Sequence, residues 1–200
     1  MKPVLQPADF GRAAQSLGCS IAAIRAVAEV ESDGGGFLKG KILVTRFEGH
    51  IFRQKTDGRF DKSHPTLSHR YMEDCPYNKG TLSDLRRLEL ARQLAGDVAF
   101  ECASYGMFQI MGFHYALLGY KSAYEMVQAF NQSESVQLDA FVLFIRGQGL
   151  ADELQDLRFA DFAYRYNGAN YRANRYDIKM LNAYGYYLPN PLTPNRYKLI

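Results

Sequence analysis

The stretch EVESDGGGF, residues 29–37, marks the point where a predicted helix gives way to a short β segment. On the helical wheel of residues 20–32, one face carries an apolar row that ends on a carboxylate, at Ile24, Val27, Ala28 and Glu31. Glu29 lies on the other, polar side, four residues after Arg25. We therefore expect Glu31 at the edge of the core and Glu29 in solvent.

Two physical effects are expected to raise the pKa of Glu31. Burial disfavours the ionised carboxylate, and the last turn of a helix presents the negative end of its dipole. A carboxylic acid that is still protonated near neutral pH is what a glycosidase uses to protonate a leaving oxygen. The glycines at 34–36 are predicted to let a bulky polymer approach this carboxyl group. The alternative is an ordinary surface glutamate at a helix C-cap.

Outward from this stretch the pattern predicts a mainly helical α+β domain with one small β element after the second helix. The predicted helices cover 8–17, 20–32, a segment that starts at a capping box formed by Thr81 and Asp84, 121–131, 134–147, 158–166 and 172–184. The predicted strand is KILVTRF at 41–47. Residues 56–80 are predicted to be a long surface segment with a hairpin at Asp57-Gly58, and 104–106 a turn.

Composition narrows the class of protein. The 200 residues fit one domain, and 47% apolar residues exclude disorder as the main state. A net charge of +3, with no basic stripe, argues against nucleic-acid binding. The three cysteines (Cys19, Cys75, Cys102) and four histidines lack zinc-ligand spacing, so reduced thiols are expected. The start lacks an apolar signal-peptide core, so we expect cytoplasmic synthesis and another route to any extracellular target.

A second acidic candidate follows the predicted strand. Most glycosidases need a second carboxylate, as base or nucleophile, beside the general acid. Glu48 ends the strand at 41–47 and is a candidate to orient water or to stabilise positive charge on a sugar. The alternative is a structural carboxylate that pairs with a nearby cationic side chain, Arg46, Arg53 or His50.

Four stretches carry a family resemblance, in order along the chain. They are AVAEVESDGGGFL at 26–38, KILVTRFEGHIF at 41–52, SYGMFQIMGFHY at 104–115 and FAYRYNGANYRANRYDIKMLNAY at 162–184. Together they resemble the phage and prophage N-acetylmuramidase endolysins of the lysozyme-like superfamily. The Glu-Ser pair, the Gly-Met-Phe-Gln-Ile run and the Tyr-Asn-Gly triplet are also similar to landmarks of lytic transglycosylases and goose-type lysozymes.

The resemblance implies a lysozyme-like fold, a function and a set of site residues. Glu31 corresponds to the catalytic acid of the Glu-Ser pair, and Ser32 is expected to support it. Gln109, Tyr166 and Asn167 are expected to line a glycan groove, while Phe108, Ile110 and Met111 are expected in the core. No metal or organic cofactor is implied. The implied substrate is the peptidoglycan glycan strand, cut between N-acetylmuramic acid and N-acetylglucosamine, with Glu48 assisting water.

The sequence also departs from the family pattern. The glutamate of the Phe-Glu pair is kept, but Gly49 follows it where relatives often have arginine or proline. Tyr105 stands where tryptophan is common, which predicts weaker sugar stacking, and Glu101 is an additional acid, expected at the surface. The match begins near the start of the chain, which predicts one monomeric catalytic domain over 1–200 without a separate peptidoglycan-binding module.

Two other functions remain compatible with these residues. A lytic transglycosylase would use the same acid, Glu31, but the substrate's own 6-hydroxyl would capture the sugar cation and give a 1,6-anhydro product. A non-catalytic peptidoglycan-binding protein would keep the groove without the chemistry. Delivery through a holin pore and injection into a rival cell are both compatible with the sequence.

Overall fold

The computed structural model describes residues 1–32, 34–71 and 80–193, and this part of the chain is mainly helical, as predicted. Its α-helices are α1 Pro7–Leu17, α2 Ile21–Glu31, α3 Gly49–Lys55, α4 Thr81–Ala95, α5 Val98–Glu101, α6 Ala123–Phe130, α7 Glu134–Gly147, α8 Ala151–Gln155, α9 Phe159–Asn167 and α10 Tyr176–Tyr187. Short 3-10 turns lie at Gly112–His114 and Ala169–Arg172. No helix in the described ranges combines the length and apolarity needed to cross a bilayer.

The β element consists of two small antiparallel sheets. One pairs β1 (Phe37–Leu38) with β2 (Ile42–Leu43), and the other has the order β3-β4-β5, from Thr45–Phe47, Ala103–Tyr105 and Ile110–Met111. The single strand predicted at 41–47 is therefore wrong, because Val44 changes partners: its N–H donates to the Gly36 carbonyl and its own carbonyl accepts from the Gly106 N–H. The turn predicted at 104–106 is the start of the β4–β5 hairpin.

Helix α2 is buried on nearly all sides. Ser20 caps it, with its hydroxyl accepting from the Ala23 N–H at 3.1 Å. The predicted polar face is wrong, because α10 packs on it. Arg25 is buried, with its guanidinium 3.9 Å from the centroid of the Tyr187 ring, and Glu29 accepts a hydrogen bond from the Tyr187 hydroxyl.

The glycines after α2 make room for α7, contrary to the prediction that they admit a polymer. Gly35 and Gly36 are buried, and a Cβ on Gly36 would lie 2.8 Å from the Gln137 Cδ. The Gly36 N–H donates to Glu134 Oε1 at 2.8 Å, and Glu134 Oε2 accepts from the Leu5 N–H at 3.0 Å. The buried Glu134 carboxylate thereby ties the N-terminal segment and the glycine loop to α7.

The segment between α3 and α4 also differs from its prediction. Asp57 and Gly58 both have left-handed φ angles, but they form a turn after α3, closed by the Gly58 N–H on the Arg53 carbonyl, and no hairpin forms in the described residues 56–71. The cap of α4 is Gly80, whose N–H donates to Asp84 Oδ2 at 3.1 Å, so the capping box with Thr81 as cap is wrong. Cys75 lies outside the described residues.

Candidate active site

A cavity of about 580 Å³ opens where α2, the β4–β5 hairpin, α9 and α10 meet. Its lining combines one carboxylic acid, two cationic side chains, several aromatic rings and two amides: Val30, Glu31, Ser32, Arg46, Phe108, Gln109, Ile110, Met111, His114, Phe144, Tyr166, Asn167, Tyr176 and Lys179. Five of the six site residues predicted from the sequence lie in this lining: Glu31, Ser32, Gln109, Tyr166 and Asn167. Glu48 does not.

Glu31 is the last residue of α2 and is only partly accessible to solvent. Burial raises the pKa of its carboxyl group from 4.5 to about 7, while the Asn167 hydrogen bond and the positive charge of Lys179 lower it. The Asn167 Nδ2 donates to Glu31 Oε1 at 2.9 Å. Glu31 is therefore half protonated near neutral pH, with its orientation fixed by one amide.

Tyr166 and Asn167 come from the last turn of α9. The Tyr166 ring stacks on Phe162 at 5.4 Å and meets the Phe141 and Phe144 rings edge-on at 5.7 and 5.8 Å. Burial, together with the nearby Glu31, raises the pKa of the Tyr166 hydroxyl well above its ordinary value. Tyr166 thus presents a neutral hydroxyl group, held by a rigid cluster of aromatic rings, next to the Asn167 amide that binds Glu31.

Gln109 is fixed in the β4–β5 hairpin. Its φ of 47° is left-handed, which is uncommon for a residue other than glycine. The Gln109 Nε2 donates to the Gly106 carbonyl at 2.8 Å, and the Ser104 hydroxyl donates to Gln109 Oε1 at 2.9 Å. Phe108, Ile110 and Met111 also line the cavity. Phe108 and Ile110 are buried, as predicted, whereas Met111 is only partly buried, so the prediction that it lies in the core is wrong.

Ser32 lies directly after the acid. It is buried, its backbone N–H closes α2 on the Ala28 carbonyl at 3.0 Å, and its hydroxyl donates weakly to the Glu29 carbonyl at 3.4 Å. Ser32 therefore fixes the backbone on which Glu31 is carried.

Glu48 follows β3 at the cap position of α3, two residues beyond the cavity-lining Arg46. Its Oε2 lies 3.6 Å from the His50 Nδ1. The structure thus brings Glu48 to the strand that flanks the cavity and places it beside a histidine, in agreement with the structural alternative stated above.

Two of the three departures from the family pattern, Tyr105 and Glu101, lie outside the cavity lining. Tyr105 is core: it is 1% exposed, and its hydroxyl donates to the Phe100 carbonyl at 3.0 Å. It therefore has no part in sugar stacking within this cavity, contrary to the expectation. Glu101 is partly exposed and pairs with the Lys55 Nζ at 2.5 Å.

Among the polar residues of the lining, sequence reasoning missed four: Arg46, His114, Tyr176 and Lys179. Arg46 is the exposed residue between two buried ones in β3, so strand alternation was a usable signal. The Lys179 Nζ lies 5.5 Å from the centroid of the Tyr176 ring, one helical turn earlier. Burial lowers the pKa of His114, which packs edge-on against Phe144. The described residues contain no group of three side chains suited to hold a metal ion.

Comparisons with known proteins indicate one family. A family model described as N-acetylmuramidase matches residues 20–188, which include every residue of the cavity lining. The crystal structure of a Burkholderia AP3 phage endolysin is similar, with a TM-score of 0.83 and 38% identity over 93% of this chain and 71% of that chain. A search of curated proteins found no match. The structural likeness confirms the predicted lysozyme-like α+β fold.

Proposed function

The chain belongs to the N-acetylmuramidase family, and from that membership we propose that it is an endolysin-type muramidase in which Glu31 is the general acid. The enzyme class, a glycoside hydrolase of the lysozyme type that cleaves peptidoglycan, follows from the family and from the similar phage endolysin. The proposal adds the bond, which is the β-1,4 link between N-acetylmuramic acid and N-acetylglucosamine, and the roles of the residues.

The observation that carries the proposal is the position and protonation of Glu31. It is the one acidic side chain among the described residues of the cavity lining, and its pKa of about 7 keeps a proton available near neutrality. In the proposed step the carboxyl group donates this proton to the glycosidic oxygen, and the bond from that oxygen to C1 of the muramic sugar breaks. The Asn167 amide and the Lys179 cation then stabilise the carboxylate that remains.

The fate of the sugar cation distinguishes two reactions. In hydrolysis, water attacks C1 and gives up a proton, and we propose Glu48 as the residue that accepts it because Glu48 directly follows the strand that carries Arg46. The absence of Glu48 from the described cavity lining favours the second candidate, a transglycosylase, in which the muramic 6-hydroxyl attacks C1 and gives its proton to the Glu31 carboxylate. Both reactions require Glu31.

The remaining predicted residues are proposed to hold the glycan. Gln109 is fixed by two hydrogen bonds to its own hairpin, so its amide is preoriented at the cavity wall. The Tyr166 hydroxyl stands on a rigid aromatic cluster beside Asn167. Ser32 supports the end of α2 that carries the acid.

Digestion of purified peptidoglycan, followed by mass spectrometry of the soluble fragments, tests the proposal. The wild type should release fragments with a reducing muramic acid, its rate should fall as the pH rises through about 7, and Glu31→Gln should release none. Glu101→Gln, which removes a glutamate away from the cavity, is the matched control and should retain the rate. Fragments lighter by one water would identify a transglycosylase, and Glu48→Gln would then leave the rate unchanged. A fully active Glu31→Gln would refute the assignment of the acid.

The route to the wall is part of the proposal. By analogy with the similar phage endolysin, we propose synthesis in the host cytoplasm and release through a holin-type pore, with injection into a rival cell as the other route. We also propose that the catalytic domain acts as a monomer on glycan strands. Host cells that express the protein should lyse only when a holin is co-expressed, and lysis without one would contradict this route.

A further inference from the structure

The cavity lining contains two cationic side chains, although proton donation to a neutral sugar does not need a net positive charge. Arg46 projects from β3 and Lys179 from α10, so two cations from elements distant in sequence line the same cavity as Glu31. In the described lining, Glu31 is the only carboxylate set against them. A protonated Glu31 leaves both positive charges uncompensated.

Neither cation, Arg46 or Lys179, is held in an ion pair with a carboxylate among the described residues. Lys179 instead packs over the Tyr176 ring and acts on Glu31 from beyond ion-pair distance. The exposed Arg92, by contrast, pairs with Glu89 at 2.8 Å.

The position of Arg46 is set by the sheet. Thr45 and Phe47 on either side of it are buried, and Arg46 lies opposite Ser104 in the β3–β4 register. Ser104 in turn binds Gln109, which is in the cavity lining. Arg46 is therefore anchored in a hydrogen-bonded strand, beside the residues proposed to hold the glycan.

The sugar rings of the glycan strand are uncharged, so these cations need an anion on a substituent. The substituent on O3 of the muramic sugar is a lactyl group. It is a free carboxylate when the peptide has been removed, and it is joined to a peptide with its own carboxylates when the peptide is present. A planar guanidinium binds a carboxylate through two parallel hydrogen bonds, which suits Arg46 to this ligand.

Resting on the proposed function, we propose that Arg46 and Lys179 form a carboxylate-binding subsite that recognises the acidic substituent on O3 of the muramic sugar. This subsite makes the enzyme prefer glycan strands whose substituents carry free carboxylates. Arg46 is the main determinant, and Lys179 is the second cation. The preference weakens at high ionic strength because both side chains are exposed to solvent.

Three forms of one purified peptidoglycan test the subsite by their kcat/KM values. The first keeps its peptide carboxylates, the second has them converted to neutral amides with carbodiimide and ammonia, and the third is stripped of peptides by an amidase so that only lactyl carboxylates remain. The wild type is expected to cut the first about tenfold faster than the second. Arg46→Gln should lose about tenfold on the first form and almost nothing on the second.

The controls separate binding from other effects. Lys62→Gln removes an exposed cation outside the cavity and should leave all three rates unchanged. Lys179→Gln should lose about threefold on the carboxylate form. It should also shift the alkaline limb upward on every substrate, because Lys179 lowers the pKa of Glu31. Arg46→Lys should recover part of the preference, since it restores the charge without the planar fork.

The third substrate assigns the source of the carboxylate. A loss in Arg46→Gln on the stripped strands identifies the lactyl carboxylate, and a loss only on the first form identifies the peptide carboxylates. Equal losses in Arg46→Gln on all three forms would overturn the subsite, as would a wild type that cuts all three equally fast. A wild type that cuts none of the three would instead refute the proposed function.

Discussion

Replacement of Glu31 by glutamine should stabilise the protein at high pH and not at low pH. Glutamine has nearly the same shape as protonated glutamate, and its side-chain oxygen still accepts the hydrogen bond from Asn167. The change therefore removes the titratable group while the packing and the hydrogen bond are kept. It isolates the effect of burying an ionisable acid at the end of α2.

The size and sign follow from the pKa of Glu31. The unfolded chain releases this proton near 4.5, whereas the folded chain releases it near 7. Between these values the folded state binds more protons, so the stability of the wild type falls as pH rises, by about 1.4 kcal/mol per pH unit. Above pH 7 the loss reaches about 3 kcal/mol, or about 6–12 °C in Tm for a chain of this length.

Urea unfolding followed by circular dichroism, at pH 4 and pH 8, measures this difference. Glu31→Gln and wild type should be equally stable at pH 4, and the variant should be more stable by about 3 kcal/mol at pH 8. The control, Glu101→Gln, loses its ion pair with Lys55 and should be at most about 1 kcal/mol less stable at pH 8. Equal stability of Glu31→Gln and wild type at both pH values would refute the raised pKa, and with it the physical basis for Glu31 as the acid.

Three further substitutions test other parts of the structure. Asn167→Ala removes a donor that favours the ionised form of Glu31, so the alkaline limb of the pH–rate profile should move upward while kcat falls by about tenfold or more; an unmoved limb would contradict the hydrogen bond. Gly36→Ala forces a Cβ against the Gln137 side chain of α7 and should lower the free energy of unfolding in urea by about 2–3 kcal/mol. Its control, Gly11→Ala, lies on an open helix surface and should raise the free energy of unfolding by about 1 kcal/mol. Similar effects of the two substitutions would contradict the packing of Gly36 against α7. Glu134→Ala leaves two backbone N–H groups without their acceptor and should destabilise by about 3 kcal/mol, with Glu134→Gln losing about half of that; a loss below about 1 kcal/mol would show that the clamp is dispensable.

The sequence predicted what depends on local periodicity. The apolar row that ends on Glu31 is a property of one helix, and it placed this residue at the edge of the core, where the structure has it. The prediction that the other side of this helix is exposed was wrong, because the helix that packs on it, α10, is distant in the sequence. The sequence of α2 alone predicts that Arg25 and Glu29 are exposed to solvent. In the structure, α10 places Tyr187 against both of them. No pattern within residues 20–32 predicts that α10 packs on this side.

The glycines at 34–36 also show that local sequence does not identify a distant packing partner. A sequence records that residues 34–36 lack side chains, but not which neighbour needs the space. The proximity of Glu31 suggested a substrate, whereas Gly35 faces the Glu134 side chain and Gly36 faces the buried side chain of Gln137. Strand KILVTRF was misread for a related reason, because its division at Val44 depends on hydrogen bonds to Gly36 and Gly106, and Gly106 is far away in the sequence.

The pKa of the acid is likewise set by the whole fold. Burial alone would push the pKa of Glu31 above about 7, and a carboxyl group held too strongly in its neutral form is a poor proton donor at neutral pH. Asn167 and Lys179, which lower it, lie on α9 and α10, while the acid lies on α2. Helices from both ends of the chain must therefore dock before Glu31, the proposed acid, acquires this pKa. It follows that substitutions that loosen α10, such as those at the Arg25–Tyr187 contact, should alter the pH–rate profile without touching the cavity, because Lys179 moves with that helix.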